Sequence, residues 1–71
     1  MVEVYRTNVE QSEHANALLL QFNKLFPCYE VNFDLDDCDR ILRVESNSTA
    51  IEVQEIISVL QDYGFSAEVL V

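Results

Sequence analysis

Apolar and polar positions alternate most strictly in the stretch "YEVNFDLDD". Tyr29, Val31, Phe33 and Leu35 form one set, and Glu30, Asn32 and Asp34 the other. A period of two places the sets on opposite faces of a strand. Val2 and Val4, alternating with Glu3 and Tyr5, predict an earlier strand at the start. Between residues 12 and 25 the spacing changes to steps of three and four. Ala15, Leu18, Leu19, Phe22, Leu25 and Phe26 then share one side of a helix. Asn8 or Ser12 is placed to cap its start. Pro27 ends it, because proline disfavours helical backbone in the residue before it.

Asp36, Asp37 and Cys38 form a tight turn, and "DRILRVES" returns as a strand with Leu42 and Val44 facing inward. Thr49 and Glu52 have the spacing of a capping box. They open a second helix in which Ile51, Val53, Ile56, Ile57 and Leu60 are available to pack. Gly64, the single glycine, stands where a helix end needs a left-handed residue. "FSAEVLV" is the last strand, with Phe65, Ala67 and Val69 inward.

The element order is βαββαβ, the ferredoxin-like arrangement of an α+β sandwich. Right-handed crossovers put both helices on one face of a four-stranded antiparallel sheet. With 71 residues, the chain makes a single domain over residues 1–71. Following the chain direction brings three loops to one end, at residues 7–12, 36–39 and 62–64. Cys38 lies at that end and Cys28 at the other. About ten residues of hairpin at roughly 3.3 Å each separate them, on the order of 20 Å or more. A disulfide needs α-carbons within about 7 Å, so both cysteines are expected as free thiols. No CxxC occurs, which excludes a zinc ribbon or a thioredoxin-type redox motif.

Composition narrows the partners. Hydrophobic residues make up 49% of the chain, enough for a core and against disorder. The net charge is −9, from 13 acids against 4 bases. Such a surface repels nucleic-acid phosphates and anionic headgroups, so neither nucleic acid nor membrane is an expected partner. Cations and basic protein patches remain. No apolar run approaches the roughly 18 residues of a membrane span. The opening "MVEVYRTNVE" lacks a basic segment followed by an apolar one, so no secretory signal is expected. The expected compartment is cytoplasmic.

Three stretches carry a family resemblance: "RTNVEQSEH", "VNFDLDDCDRILRVES" and "VQEIISVLQDYGFSAEV". Together they span about residues 2–69 and resemble the heavy-metal-associated domain family. That family includes small copper chaperones and the N-terminal modules of copper-transporting ATPases, and it shares the βαββαβ order. In the family a CxxC pair at this opening binds the metal. Here Gln11 takes the first cysteine position and His14 the second. Soft thiolates select Cu(I) and also suit Zn(II). A neutral amide is a poor ligand for a soft ion, and one imidazole does not make a site.

The resemblance therefore implies a non-catalytic binding or interaction module whose thiolate site is lost. The alternative is a metal carrier that holds Cu or Zn weakly through His14 with Cys38 or nearby carboxylates. No other cofactor is expected. In the family the metal-loop end also docks partners. Here that implies an acidic docking end, made by Glu10, Glu13, Asp36, Asp37 and Asp39, for a basic protein.

Other chemistries fit poorly. Asp34, Asp36 and Glu45 fall at positions 1, 3 and 12 of a calcium loop, but Cys38 and Asp39 occupy positions 5 and 6 and the flanks are strands. There is no serine–histidine–acid set, and one histidine is a thin basis for acid–base catalysis. A single glycine cannot build a phosphate loop. Tyr29, Phe33, Phe22, Phe26 and Phe65 sit at core-facing spacings rather than on a base-stacking platform. The sheet face away from the helices is expected to show Tyr5, Ile41, Arg43 and Leu70. It offers a second surface, for a partner or a homodimer.

Overall fold

The computed structural model describes residues 1–47 and 50–70. The elements are β1 (Val2–Thr7), α1 (Ser12–Leu25), β2 (Tyr29–Asp34), β3 (Ile41–Ser46), α2 (Val53–Asp62) and β4 (Ala67–Val69). All strand pairs are antiparallel, in the spatial order β2-β3-β1-β4. The fold is thus the expected α+β, ferredoxin-like sandwich. Helix α1 lies against β2, α2 against β4, and the two helices touch. Leu18 and Phe22 of α1, Ile56 and Leu60 of α2, and Leu42 and Val44 of β3 share one buried cluster. That cluster sits between the helices and one face of the sheet.

The inward face of β1 differs from expectation. Tyr5 was expected on the open face, but it is fully buried. The cause is register. Tyr5 pairs with Leu42 on one side and Val69 on the other. Directly paired residues share a face, and Leu42 is in the core. Val4 takes the outer position instead. Ile41 and Arg43 do belong to the open face, with Leu42 and Val44 alternating inward. Leu70 joins them one residue beyond β4, where its N–H donates to the Val4 carbonyl at 2.8 Å. No hydrogen-bond partner among the described residues meets the Tyr5 hydroxyl. Burial, with smaller contributions from Glu3 and Tyr29, pushes its phenol up to about 12.

Helix α1 runs over the expected span and buries Ala15, Leu18 and Phe22. Leu25, the last residue of the helix, is 56% exposed. Gln11, not Asn8 or Ser12, stands at the N-cap, and its side chain makes no capping bond. The Asn8 side chain serves elsewhere: its Oδ1 accepts from the Ser66 N–H at 2.8 Å. Thr49 of the expected capping box lies outside the described residues. Glu52 is itself the N-cap of α2 and makes no side-chain capping bond, so it does not hold the third helical position that such a box requires. Val59, outside the set expected to pack, is buried beside Ile56 and Leu60.

Both ends of α2 are closed by specific bonds. Gly64 adopts φ +84. Its N–H donates to Gln61 at 3.0 Å, and the Phe65 N–H donates to Leu60 at 2.9 Å. This bond pair, with Phe65 beyond the glycine, is a Schellman end. At the start of the same helix, the Tyr29 hydroxyl donates to the Ala50 carbonyl at 3.1 Å and accepts from the Glu52 N–H at 3.0 Å. Tyr29 also stacks on Phe26, with ring centroids 5.2 Å apart. One side chain therefore joins the end of α1, the start of β2 and the entry to α2.

Candidate functional site at the loop end

Three loops meet at one end of the sandwich, as the chain direction predicts. The β1–α1 loop is clipped to the β2–β3 turn through Thr7. Its N–H donates to the Asp39 carbonyl at 3.1 Å. Its Oγ1 donates to the Arg40 carbonyl at 2.6 Å and accepts from the Val9 N–H at 3.2 Å. Thr7 and Val9 are both buried. The same loop is clipped to the α2–β4 connection by two bonds between Asn8 and Ser66.

The β2–β3 turn is shaped by its own polar groups. Asp37 Oδ1 accepts from the Asp39 N–H at 2.9 Å, a local bond that mimics a backbone turn. Arg40 then adopts φ 50, in the left-handed region. Its guanidinium folds back over the turn, donating to the carbonyls of Leu35 and Asp37 at 3.3 and 3.2 Å. Those bonds offset the roughly 1–2 kcal/mol a non-glycine residue loses there.

Gln11 and His14 lie in the first turn of α1, and both are exposed. The Gln11 carbonyl accepts from the Ala15 N–H at 3.1 Å. The His14 ring packs against Phe65, with centroids 5.3 Å apart and planes tilted by 49°. Its imidazole is thus associated with the α2–β4 connection. Cys38 is an exposed free thiol in the β2–β3 turn, and Cys28 is also free and exposed. Ligand atoms of Asp37, Cys38 and Asp39 all lie within 4.8 Å of one another. Among the described residues this is the one group of three or more metal-ligating side chains so close together, and His14 is not a member. The structure therefore brings Cys38 together with two carboxylates and leaves His14 and Gln11 out of that set.

Arginines offset part of the acidic end. Arg6 reaches Asp39 at 3.4 Å and Glu68 at 3.0 Å. Arg40 lies 4.0 Å from Glu10. Glu13, Asp36 and Asp37 have no such ion pair among the described residues. They are exposed and form the uncompensated part of the patch. Arg6 stands opposite Glu68 in the β1–β4 ladder, whereas Arg40 and Glu10 meet across two loops, so each pairing joins residues far apart along the chain.

The open sheet face is mixed. Val4, Ile41 and Leu70 are half-buried there, and Val2 is 48% exposed. Arg43 pairs with Glu45 at 2.6 Å in their midst. Among the described residues, no helix is long and apolar enough to cross a membrane. No protein-family model, curated protein or solved structure matches the chain.

Proposed function

We propose that the chain is a small, non-catalytic interaction module with a heavy-metal-associated-like fold, in which the thiolate site is lost and an acidic end docks a basic protein. The observation that carries this reading is the chemistry of the first turn of α1. An amide at Gln11 and an imidazole packed on Phe65 stand where the resembled family has two thiolates. Around them Glu13, Asp36 and Asp37 leave an exposed negative surface without arginine partners among the described residues. Such a surface steers a basic partner and makes association fall with salt. It repels nucleic acid and anionic lipid. Two exposed free thiols suit a reducing, cytoplasmic setting.

A second reading, a weak metal carrier, is favoured by one observation: the convergence of Asp37, Cys38 and Asp39. A single thiolate with two carboxylates is a mixed set and falls short of the two soft ligands that select Cu(I). A Cu(I) and Zn(II) titration against a competing chelator, followed by amide NMR, separates the readings. The expected result is no binding tighter than about micromolar. Stoichiometric, tight Cu(I) with shifts at Gln11 and His14 would overturn the lost-site reading. Tight metal with shifts confined to Asp37, Cys38 and Asp39 would establish the carrier.

A further inference from the structure

Strand β2 is at an edge of the sheet and pairs only with β3. The ladder determines which of its backbone groups remain unpaired. The Ser46 N–H donates to the Met1 carbonyl, and the Met1 amino group donates to the Ser46 carbonyl. Ser46 therefore directs its backbone groups at β1, and by antiparallel alternation so do Val44 and Leu42. Ile41, Arg43 and Glu45 direct theirs at β2, opposite Asp34, Asn32 and Glu30. Tyr29, Val31 and Phe33 consequently turn theirs outward. The Tyr29 N–H is used by the Phe26 carbonyl at 3.0 Å. Val31 and Phe33 keep outward N–H and C=O groups with no partner among the described residues.

A groove of about 340 Å³ lies beside this edge, between α1 and β2. Leu19, Phe33 and Leu35 line it with half-buried apolar side chains, and Asp34 and Asp36 border it with exposed carboxylates. Asn32 and Asp34 belong to the open face of the sheet, so the groove wraps around the edge. An unpaired edge beside an apolar groove is the arrangement that adds an extended peptide as a further strand.

We infer that the β2 edge takes up an extended peptide segment of alternating basic and apolar residues as a fifth strand. Val31 and Phe33 supply the main-chain bonds. Apolar side chains on one side of the segment enter the groove over Leu19 and Leu35. Basic side chains on the other side meet Glu30 and Asp34 on the open face. A second copy of the chain is the poorer occupant. Antiparallel β2 on β2, centred on Asn32, sets Glu30 against Asp34 twice, between molecules of net charge −9. Directly opposed like charges are destabilising, and opposite charges at the same positions are favourable.

The inference rests on the reading of the chain as an interaction module but uses the β2 edge, which adjoins the acidic loop end at Asp36. The probe is a heptapeptide of alternating lysine and valine, added to isotope-labelled protein. Saturable shifts and slowed hydrogen exchange at the Val31 and Phe33 amides are expected, with affinity that falls as salt is added. The same peptide fully N-methylated keeps its charge and loses its donors; it should bind at least about tenfold more weakly. Glu30→Gln with Asp34→Asn should weaken binding about fivefold, while the charge-matched pair Glu55→Gln with Asp62→Asn leaves it within about twofold. Equal binding of the N-methylated peptide would overturn the inference. So would shifts at Val31 and Phe33 that depend on protein concentration alone, since a second copy would then hold the edge. Shifts confined to Glu13 and Asp37 would also overturn it, while leaving the acidic-end reading intact.

Discussion

At the residue scale, Tyr5 holds an unresolved conflict between packing and polarity. Its ring fills the core beside Leu42, yet its hydroxyl has no partner among the described residues. Leaving a buried polar group unmet costs roughly 1–3 kcal/mol. Tyr5→Phe should therefore leave stability at pH 7 unchanged or raise it by about 1 kcal/mol, measured by urea unfolding. The alkaline limb gives a sharper test. The phenol is held at about 12 in the folded chain against 10.0 ordinarily. Between these values the unfolded chain has released its proton and the folded chain has not, so stability falls as pH rises through this window. The contribution is fully present below pH 10 and lost by about pH 12, roughly 2–3 kcal/mol in all. Tyr5→Phe should lose less stability than the parent over that range. Parallel loss in the two proteins would show that the hydroxyl is solvated. Alternation in "VEVYRT" is compatible with either face inward, because Val4 and Tyr5 are both fit for a core. Pairing to Leu42 and Val69 decides between them.

At the element scale, β2 and α1 match their sequence patterns because those patterns are local. A period of two, or of three and four, needs only the chain's own geometry. Helix α1 stops near Pro27 for the same local reason, and α2 stops at Gly64. Helix starts behave differently here. Gln11 and Glu52 cap without side-chain bonds, because the β1–α1 loop and the entry to α2 are held from outside. Asn8 is committed to Ser66, and the Glu52 N–H is met by the Tyr29 hydroxyl. Tyr29→Phe keeps the ring on Phe26 but removes both hydroxyl bonds. It should destabilise the chain by about 1–2 kcal/mol, with faster hydrogen exchange at the Glu52 amide than at α1 amides. A uniform change in exchange would mean that Tyr29 acts only through packing.

At the scale of the whole molecule, charge and topology set the behaviour. Thirteen acids face four bases. Arg6, Arg40 and Arg43 are already in ion pairs, so screening weakens few attractions and many repulsions. Raising sodium chloride from about 0.02 to 0.5 M should raise the melting temperature by several degrees, read by circular dichroism. A fall would mean that the arginine pairs outweigh the net repulsion. The sequence by itself determined the βαββαβ order, the two helix-ending residues, the inward faces of β2 and β3, the negative surface and the separation of the two thiols. Each of these follows from neighbours along the chain, from strand rise or from a sum of charges. Only the tertiary structure decided that Tyr5 is inside, that Val59 packs and Leu25 does not, that His14 rests on Phe65 while Cys38 meets Asp37 and Asp39, and which backbone groups of β2 are left unpaired. Each of those depends on cross-strand register or on loops brought together from distant positions, and neither register nor loop meeting is written in any one local stretch.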